Sequence, residues 1–307
     1  MTDDAPRRIS RSITPLSTPA VDASPAFRFP LKAEAVTALV RSALDEDQAF
    51  RDLTSIATIP KEGRARAKIV ARAPGVSSGI ALAIEAFRQL DPKLTLRIDA
   101  EDGTALTRGV GILYVSGHAR GILGAERVAL NFLQRLSGVA TLTAKYVEAV
   151  QGTGARILDT RKTTPGWRHL EKYAVRCGGG TNHRMDLAAA VLIKDNHLAA
   201  LDGNIRAAVE RARSLAPVGT KVEVECDTLE QVDAALAAGA DILLLDNMTL
   251  EEMSEAVTRT GARAQTEASG GVRLDSVRAI AETGVTFVSV GALTHSAPAL
   301  DLALDFE

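Results

Sequence analysis

Along the first 140 or so residues, apolar positions recur with two different periods. From Glu34 to Leu44 they fall at Val36, Leu39, Val40, Ala43 and Leu44, which is one face of a helix. RARAKIVAR, Arg64 to Arg72, alternates instead and predicts a half-buried strand with Ala65, Ala67, Ile69 and Ala71 on one side. LTLRID repeats the alternation, with Leu94, Leu96 and Ile98 facing in, and the helix-like GIALAIEAFRQL lies between the two strands. A further strand is expected over Gly109 to Tyr114, and a helix over Ala125 to Leu136 with Ala129, Phe132, Leu133 and Leu136 as its apolar stripe. This half reads as an α+β layer, a sheet covered by helices on one face. Arg127 then falls in the first turn of a helix, where a cation opposes the macrodipole; either an anion lies nearby or the side chain is simply solvated.

After Gly138 short apolar runs alternate with helical segments: ARILDT, AVLIKD, KVEVEC, DILLLD, AQTEAS and FVSVGA. Glu225 to Asp246 is 21 residues, Asp246 to Glu267 is 21, and Ser269 to Gly291 is 22. Thr228 with Gln231 and Thr249 with Glu252 read as capping boxes that start helices, and Gly239, Gly261 and Gly284 as stops. A repeating βα unit of this kind forms an open doubly wound sheet or a closed barrel. The runs end in Arg161 and Lys162, Lys194, Glu225, Asp246, Glu267 with Ser269, and Gly291. A barrel would gather these groups at one mouth, whereas an open sheet would spread them along an edge, so the fold class expected is α/β with a C-terminal (β/α) barrel. Six strands are countable in the pattern.

Composition narrows the function. With 307 residues, 46% hydrophobic, the chain can fill a large core, and a net charge of -2 argues against a nucleic-acid-binding surface. Cys177 and Cys226 have no second cysteine nearby, which favours two reduced thiols in a cytoplasmic protein over a disulfide framework. No apolar run reaches the roughly 18 residues of a membrane span. The first 30 residues hold five of the 11 prolines and no apolar core for a signal peptide; residues 1–26 are expected to be a disordered lead-in.

Against this near-neutral background Arg156 to His197 carries eight Lys or Arg, four Asp or Glu and three of the five histidines, an excess that asks for an anionic partner. Singly, Arg161 and Lys162 are compatible with a surface pair, His183 with a backbone-satisfied histidine, and Lys194 with a salt bridge to Asp195. Together, cations at buried strand ends repel one another unless a polyanion lies among them, and guanidinium groups bind carboxylates and phosphates bidentately. Glu225 and Asp246, ending successive strands, suit Mg²⁺ held with phosphate oxygens, although a hydrogen-bonded structural pair, with Asp246 capping the helix near Thr249, is the alternative. EASGG, Glu267 to Gly271, and VGAL, Val290 to Leu293, form the corner where such barrels hold phosphate, with Ser269 and His295 as further donors. Gly178 to Gly180 is either a helix stop or a hinge.

DTRKT, GGGTNHR and IKDNH, in that order, resemble the quinolinate phosphoribosyltransferases (nicotinate-nucleotide pyrophosphorylase, carboxylating). The likeness extends from about Asp45 through RDLTS, GILGAERVALNFLQRLSG, VEVEC, LLLDN and VGALTHS. It implies an N-terminal open sandwich domain over 27–138 with 294–307 packing back on it. It also implies a seven-stranded α/β barrel over 139–293, one strand more than the pattern shows. The expected assembly is a homodimer in which each N-terminal domain covers the partner's barrel mouth and donates Arg127. Arg161, Lys162, His183, Arg184 and Lys194 would surround quinolinate and the pyrophosphate side of the sugar donor. Glu225 and Asp246 would orient the ribose hydroxyls and Mg²⁺; Ser269, Gly270, Gly291 and His295 would hold the 5-phosphate. Ala268 stands where the family often has a second serine, which touches only a minor phosphate contact. The reaction implied is phosphoribosyl transfer to quinolinate with loss of CO₂ in NAD biosynthesis. Its rivals are a paralogue with another acceptor, a Schiff-base aldolase using Lys194 or Lys162 as the amine, and an idle scaffold on an enzyme fold.

Overall fold

The computed structural model describes residues 27–307; the expected lead-in, 1–26, lies outside them. The N-terminal half is built on a four-stranded antiparallel sheet in the order Leu302–Phe306, Arg64–Ala71, Gly111–His118, Thr95–Ile98. The last strand of the chain thus closes the first sheet, with Ile69 opposite Leu304 and Ala71 opposite Leu302. The alternating pattern of the second strand is realised as expected: Ala67, Ile69 and Ala71 are fully buried while Arg66 is exposed. Ile98 departs from expectation. It ends the edge strand Thr95–Ile98 and is exposed despite its inward parity, lining an open pocket with Ile80 and Ile84 of the neighbouring helix.

Helices Ala33–Glu46, Ile80–Leu90 and Ala119–Ala149 pack on one another beside this sheet, the long one touching both the sheet and the parallel strands of the other half. Its 31 residues start two turns before the expected Ala125. Gly121 and Gly124 are close-approach positions: a Cβ on Gly121 would come 2.8 Å from Asp91 Cβ, and one on Gly124 3.1 Å from the Ala49 carbonyl oxygen. Arg127 therefore lies in the third turn, and the macrodipole argument for an anion beside it falls away. The boundary expected at Gly138 sits within this helix.

The other half is a curved parallel sheet in the order Arg156–Leu158, Phe287–Ser289, Gln265–Ser269, Ile242–Asp246, Val222–Cys226, Val191–Ile193. Neighbours in space are neighbours in sequence, except that the first strand lies beside the last, which is the wrapping of a barrel. The strand missing from the apolar pattern is a stub: Thr181 bridges Leu158 in parallel on its free side. It follows the glycines and carries polar TNHR, so no apolar run announces it. Among the described residues the ladder does not close, since this stub makes no pairing with Val191–Ile193. The architecture is barrel-like with a seam at that point.

Capping explains the helices between the strands. Thr249 and Glu252 form the full reciprocal box. At Thr228 only half of it forms: the Thr228 hydroxyl accepts from Gln231 N, but the Gln231 side chain accepts from Asp227 N. Gly178 ends helix Arg168–Cys177, and Gly180 lies against Thr143 and Val175, so the triple glycine is a helix stop pressed onto the long helix. Arg135 of the long helix donates to Glu171 and to the carbonyls of Ala297 and Thr294, tying the two halves together.

Candidate active site

Side chains along each parallel strand alternate, so Glu223 and Glu225, Leu244 and Asp246, and Glu267 and Ser269 point into the barrel while Val224, Leu245 and Ala268 pack against helices. At the carboxyl ends these inward groups, Glu223 excepted, line one cavity of about 510 Å³. It gathers Arg161, Lys162, His183, Arg184, Lys194, Glu225, Asp246 and Ser269, all expected at the site. Sequence reading did not assign roles to Thr160 and Ser289, which also line it.

The cavity's electrostatics are those of an anion site crossed by a carboxylate edge. Burial, then the Arg161 charge, holds Arg184 below the usual guanidinium range, so the two arginines are near enough to repel. Lys194 Nζ donates to Glu225 Oε2, not to Asp195 as the bland reading had it. That ion pair takes Lys194 out of the purely cationic setting the aldolase reading needs, and bears on Lys194 alone of its two candidate amines. Asp246 accepts from Asn247 Nδ2 at 2.7 Å, and the following helix is capped by Thr249, so Asp246 is not its cap.

Beneath the mouth sits a triad that sequence reading missed in part, because the inward Glu223 is masked in the run KVEVEC by its partner Glu225. His183 Nε2 lies 3.2 Å from Glu223 Oε2 and 3.6 Å from Glu267 Oε1. Burial alone would push His183 down, but the bond to Glu223 and the charge of Glu267 outweigh it and raise its pKa. Burial and the Glu223 charge push the Glu267 carboxyl up to about 8, although the Ser289 hydroxyl donates to it. The three groups have a metal-like spacing, one ligand atom each within 4.8 Å of the others. The Arg184 amide donates to His183 Nδ1 at 2.6 Å, so Nε2 carries the hydrogen and turns it toward the carboxylates. A metal would need that lone pair, and Glu223 Oε1 is left buried with no hydrogen-bond partner among the described residues.

The corner expected to hold phosphate lies at the ends of Gln265–Ser269 and Phe287–Ser289. Gly270 has φ +92° with Asn247 against it, so no side chain fits there. A Cβ on Gly291 would come 3.2 Å from both His295 Nε2 and Lys162 Cδ, which shows how closely the three positions gather. His295 is exposed, with Nδ1 2.6 Å from Ser296 Oγ. Gly270, Gly291 and His295 do not line the cavity, although Gly291 lies against Lys162, which does. Arg127 is not brought to it at all: it is exposed on the long helix, away from this chain's own cavity.

A barrel-like parallel sheet with cations, paired carboxylates and a glycine corner at one mouth defines an enzyme class that handles a phosphorylated, anionic substrate. Residues 52–137 match the quinolinate phosphoribosyl transferase N-terminal domain and residues 139–305 its C-terminal domain. The chain is 45% identical over 274 residues to the nicotinate-nucleotide pyrophosphorylase (carboxylating) of Mycobacterium leprae, covering 87% of this chain and 95% of that one. It is 44% identical over 260 residues to a probable nicotinate-nucleotide pyrophosphorylase (carboxylating) of Bacillus subtilis, covering 85% and 89%. The structure of the nicotinate-nucleotide pyrophosphorylase from Francisella tularensis superposes with a TM-score of 0.86 at 39% identity, covering 91% of this chain and 98% of that one. The chain belongs to the quinolinate phosphoribosyltransferase family.

Proposed function

We propose that this chain transfers the phosphoribosyl group of phosphoribosyl pyrophosphate to quinolinate with decarboxylation, giving nicotinate mononucleotide, pyrophosphate and CO₂. The observation that carries this reading is the single 510 Å³ cavity in which Arg161, His183, Arg184 and Lys194 face Glu225 and Asp246. Arg161 and Arg184, which repel each other, take the two carboxylates of the acceptor between them, with His183 and Lys194 beside them. Ser269, Gly270, Gly291 and His295 hold the 5-phosphate, and Lys162, which packs at Gly291, spans toward the pyrophosphate.

The pyridine nitrogen attacks the anomeric carbon as the bond to pyrophosphate breaks, and positive charge develops on the ribose. Glu225 and Asp246 lie where that charge and the ribose hydroxyls would be met. The bond between carbon 2 of the ring and its carboxylate then breaks; CO₂ leaves, the electron pair stays beside the pyridinium nitrogen, and a proton fills the position. Holding the two substrates in line is the main task of these residues, and no covalent nucleophile is needed. Glu225 and Asp246 are also the residues that would hold Mg²⁺, whose preference for one or two carboxylates with phosphate oxygens fits this donor set. Bound there, the ion would offset charge on the departing pyrophosphate.

The working unit of this reading is a homodimer in which each protomer lends Arg127 to its partner's mouth. Supporting it, Arg127 is exposed and does not line the cavity of its own chain, and Leu53, 80% exposed, Ile56 and Phe50 leave apolar surface open on the same half. We place the domain division at 27–138 and 139–293, with 294–307 returning to the first, and the protein in the cytoplasm; no helix among the described residues is long and apolar enough to cross a membrane. Purified protein with phosphoribosyl pyrophosphate and Mg²⁺ should release CO₂ and form nicotinate mononucleotide from quinolinate but not turn over nicotinate; preference for nicotinate would identify a paralogue instead. Arg161→Ala should raise the KM for quinolinate at least about tenfold while the protein stays folded, since one charge-assisted bidentate contact is lost at a strand end.

A further inference from the structure

Arg161 and Lys162 reach the cavity from one segment, His183 and Arg184 from another, and both segments leave the barrel wall at its least regular point. The two arms repel each other through Arg161 and Arg184, yet few backbone bonds join them: Thr181 N donates to Ile157 O at 2.9 Å and Asp159 N to Thr181 O at 3.3 Å. Behind the wall, facing the helix and not the cavity, lies an ion pair between Asp159 and Lys172 with both side chains fully buried. Asp159 directly follows strand Arg156–Leu158 and leads into Thr160 and Arg161, while Lys172 belongs to helix Arg168–Cys177.

The pair's remaining bonds all go to the second arm. Asp159 Oδ1 accepts from His183 N at 2.9 Å, and Asp159 Oδ2 from Asn182 Nδ2 at 2.6 Å. Lys172 Nζ donates to the His183 carbonyl at 3.1 Å, and the Lys172 carbonyl accepts from Asn182 Nδ2 at 2.8 Å. The backbone of His183 is thus held on both its N–H and C=O sides by one ion pair, whose acid is itself the root of the Arg161 arm.

We infer that Asp159 and Lys172 are positioning residues for the acceptor: their buried pair fixes the spacing of the Arg161–Lys162 and His183–Arg184 arms against their mutual repulsion. The inference rests on the acceptor reading above. A buried ion pair is a poor device for stability, because desolvating both charges offsets most of their attraction, and well-packed apolar replacements are often neutral or stabilising. A pair that holds two functional arms has a geometric use that such replacements would not supply.

The test compares wild-type protein with Asp159→Leu/Lys172→Met and with Asp159→Asn. For each one measures the thermal midpoint, quinolinate binding by calorimetry, and KM for both substrates. The double variant should stay folded and bind quinolinate at least tenfold more weakly, with a smaller rise in the KM for phosphoribosyl pyrophosphate, to which only Lys162 of these arms is assigned. Asp159→Asn keeps an oxygen for the His183 amide and should fall between. A folded double variant with quinolinate affinity within twofold of wild type overturns the inference, as does an equal loss for both substrates. So does failure of both variants to fold, which would make the pair a stability element. Wild-type protein that neither binds nor turns over quinolinate would instead sink the acceptor reading itself.

Discussion

Two lysine–carboxylate pairs bracket this barrel mouth, and they differ in one respect. Lys172 and Asp159 are both 0% exposed and make their remaining hydrogen bonds to the protein; Lys194 is 44% exposed and its partner Glu225 only 9%. The same chemistry behind the wall can only hold structure. At the mouth it can exchange partners with a ligand, because water already reaches the ammonium. Charge type at a strand end therefore says little about its role; the solvent on its far side says more.

Breaking the buried pair should give the largest effect. Lys172→Met alone leaves the Asp159 carboxylate without its cation and should cost about 3–5 kcal/mol of unfolding free energy, read from denaturant titration. Lys194→Ala should show the opposite profile: kcat/KM lower by about 10²–10³-fold, as for loss of one preorganised electrostatic contact, and unfolding free energy changed by no more than about 0.5 kcal/mol. Equal effects of the two substitutions on stability would erase the distinction.

The triad between the two pairs sharpens the comparison through pH. The Glu267 carboxyl, ordinarily 4.5, is pushed up to about 8 in the fold. Between those values the folded protein binds more protons than the unfolded chain, so this stabilisation is complete below about 4.5 and is lost as pH rises toward about 8. Wild-type protein should therefore lose more unfolding free energy from pH 5 to pH 8 than Glu267→Gln does; equal losses would refute the burial argument. The smallest effect is a control that touches neither pair. Thr249→Ala, which opens the capping box of helix Leu250–Thr260, should cost about 1 kcal/mol and leave both substrate affinities alone.

Much of this was legible in the order of residues. Alternation placed Ala67, Ile69 and Ala71 inside, the constant βα spacing announced a wrapped parallel sheet, and the polar residues ending those runs, from Arg161 to Ser269, do line one cavity. Motif likeness carried the family. The failures have specific causes. The seventh strand is a polar stub without an apolar run, and the long helix begins early because Gly121 and Gly124 serve close packing, which a propensity scale reads as weakness. That shift moved Arg127 from a first turn to a third and removed one argument for its role.

What sequence alone determined was the strands that carry apolar runs, most of their buried faces, and which charged residues end them, because period and composition act locally along the chain. Only the tertiary structure decided which of those charges meet. Glu223 and Glu267 sit on nonadjacent strands yet share His183, and Asp159 reaches across a helix to grip the next arm. Pairing of that kind depends on how far the sheet curls and on which charges the helices seal from water. Both are set by packing over the whole barrel and leave no mark in any one stretch of sequence.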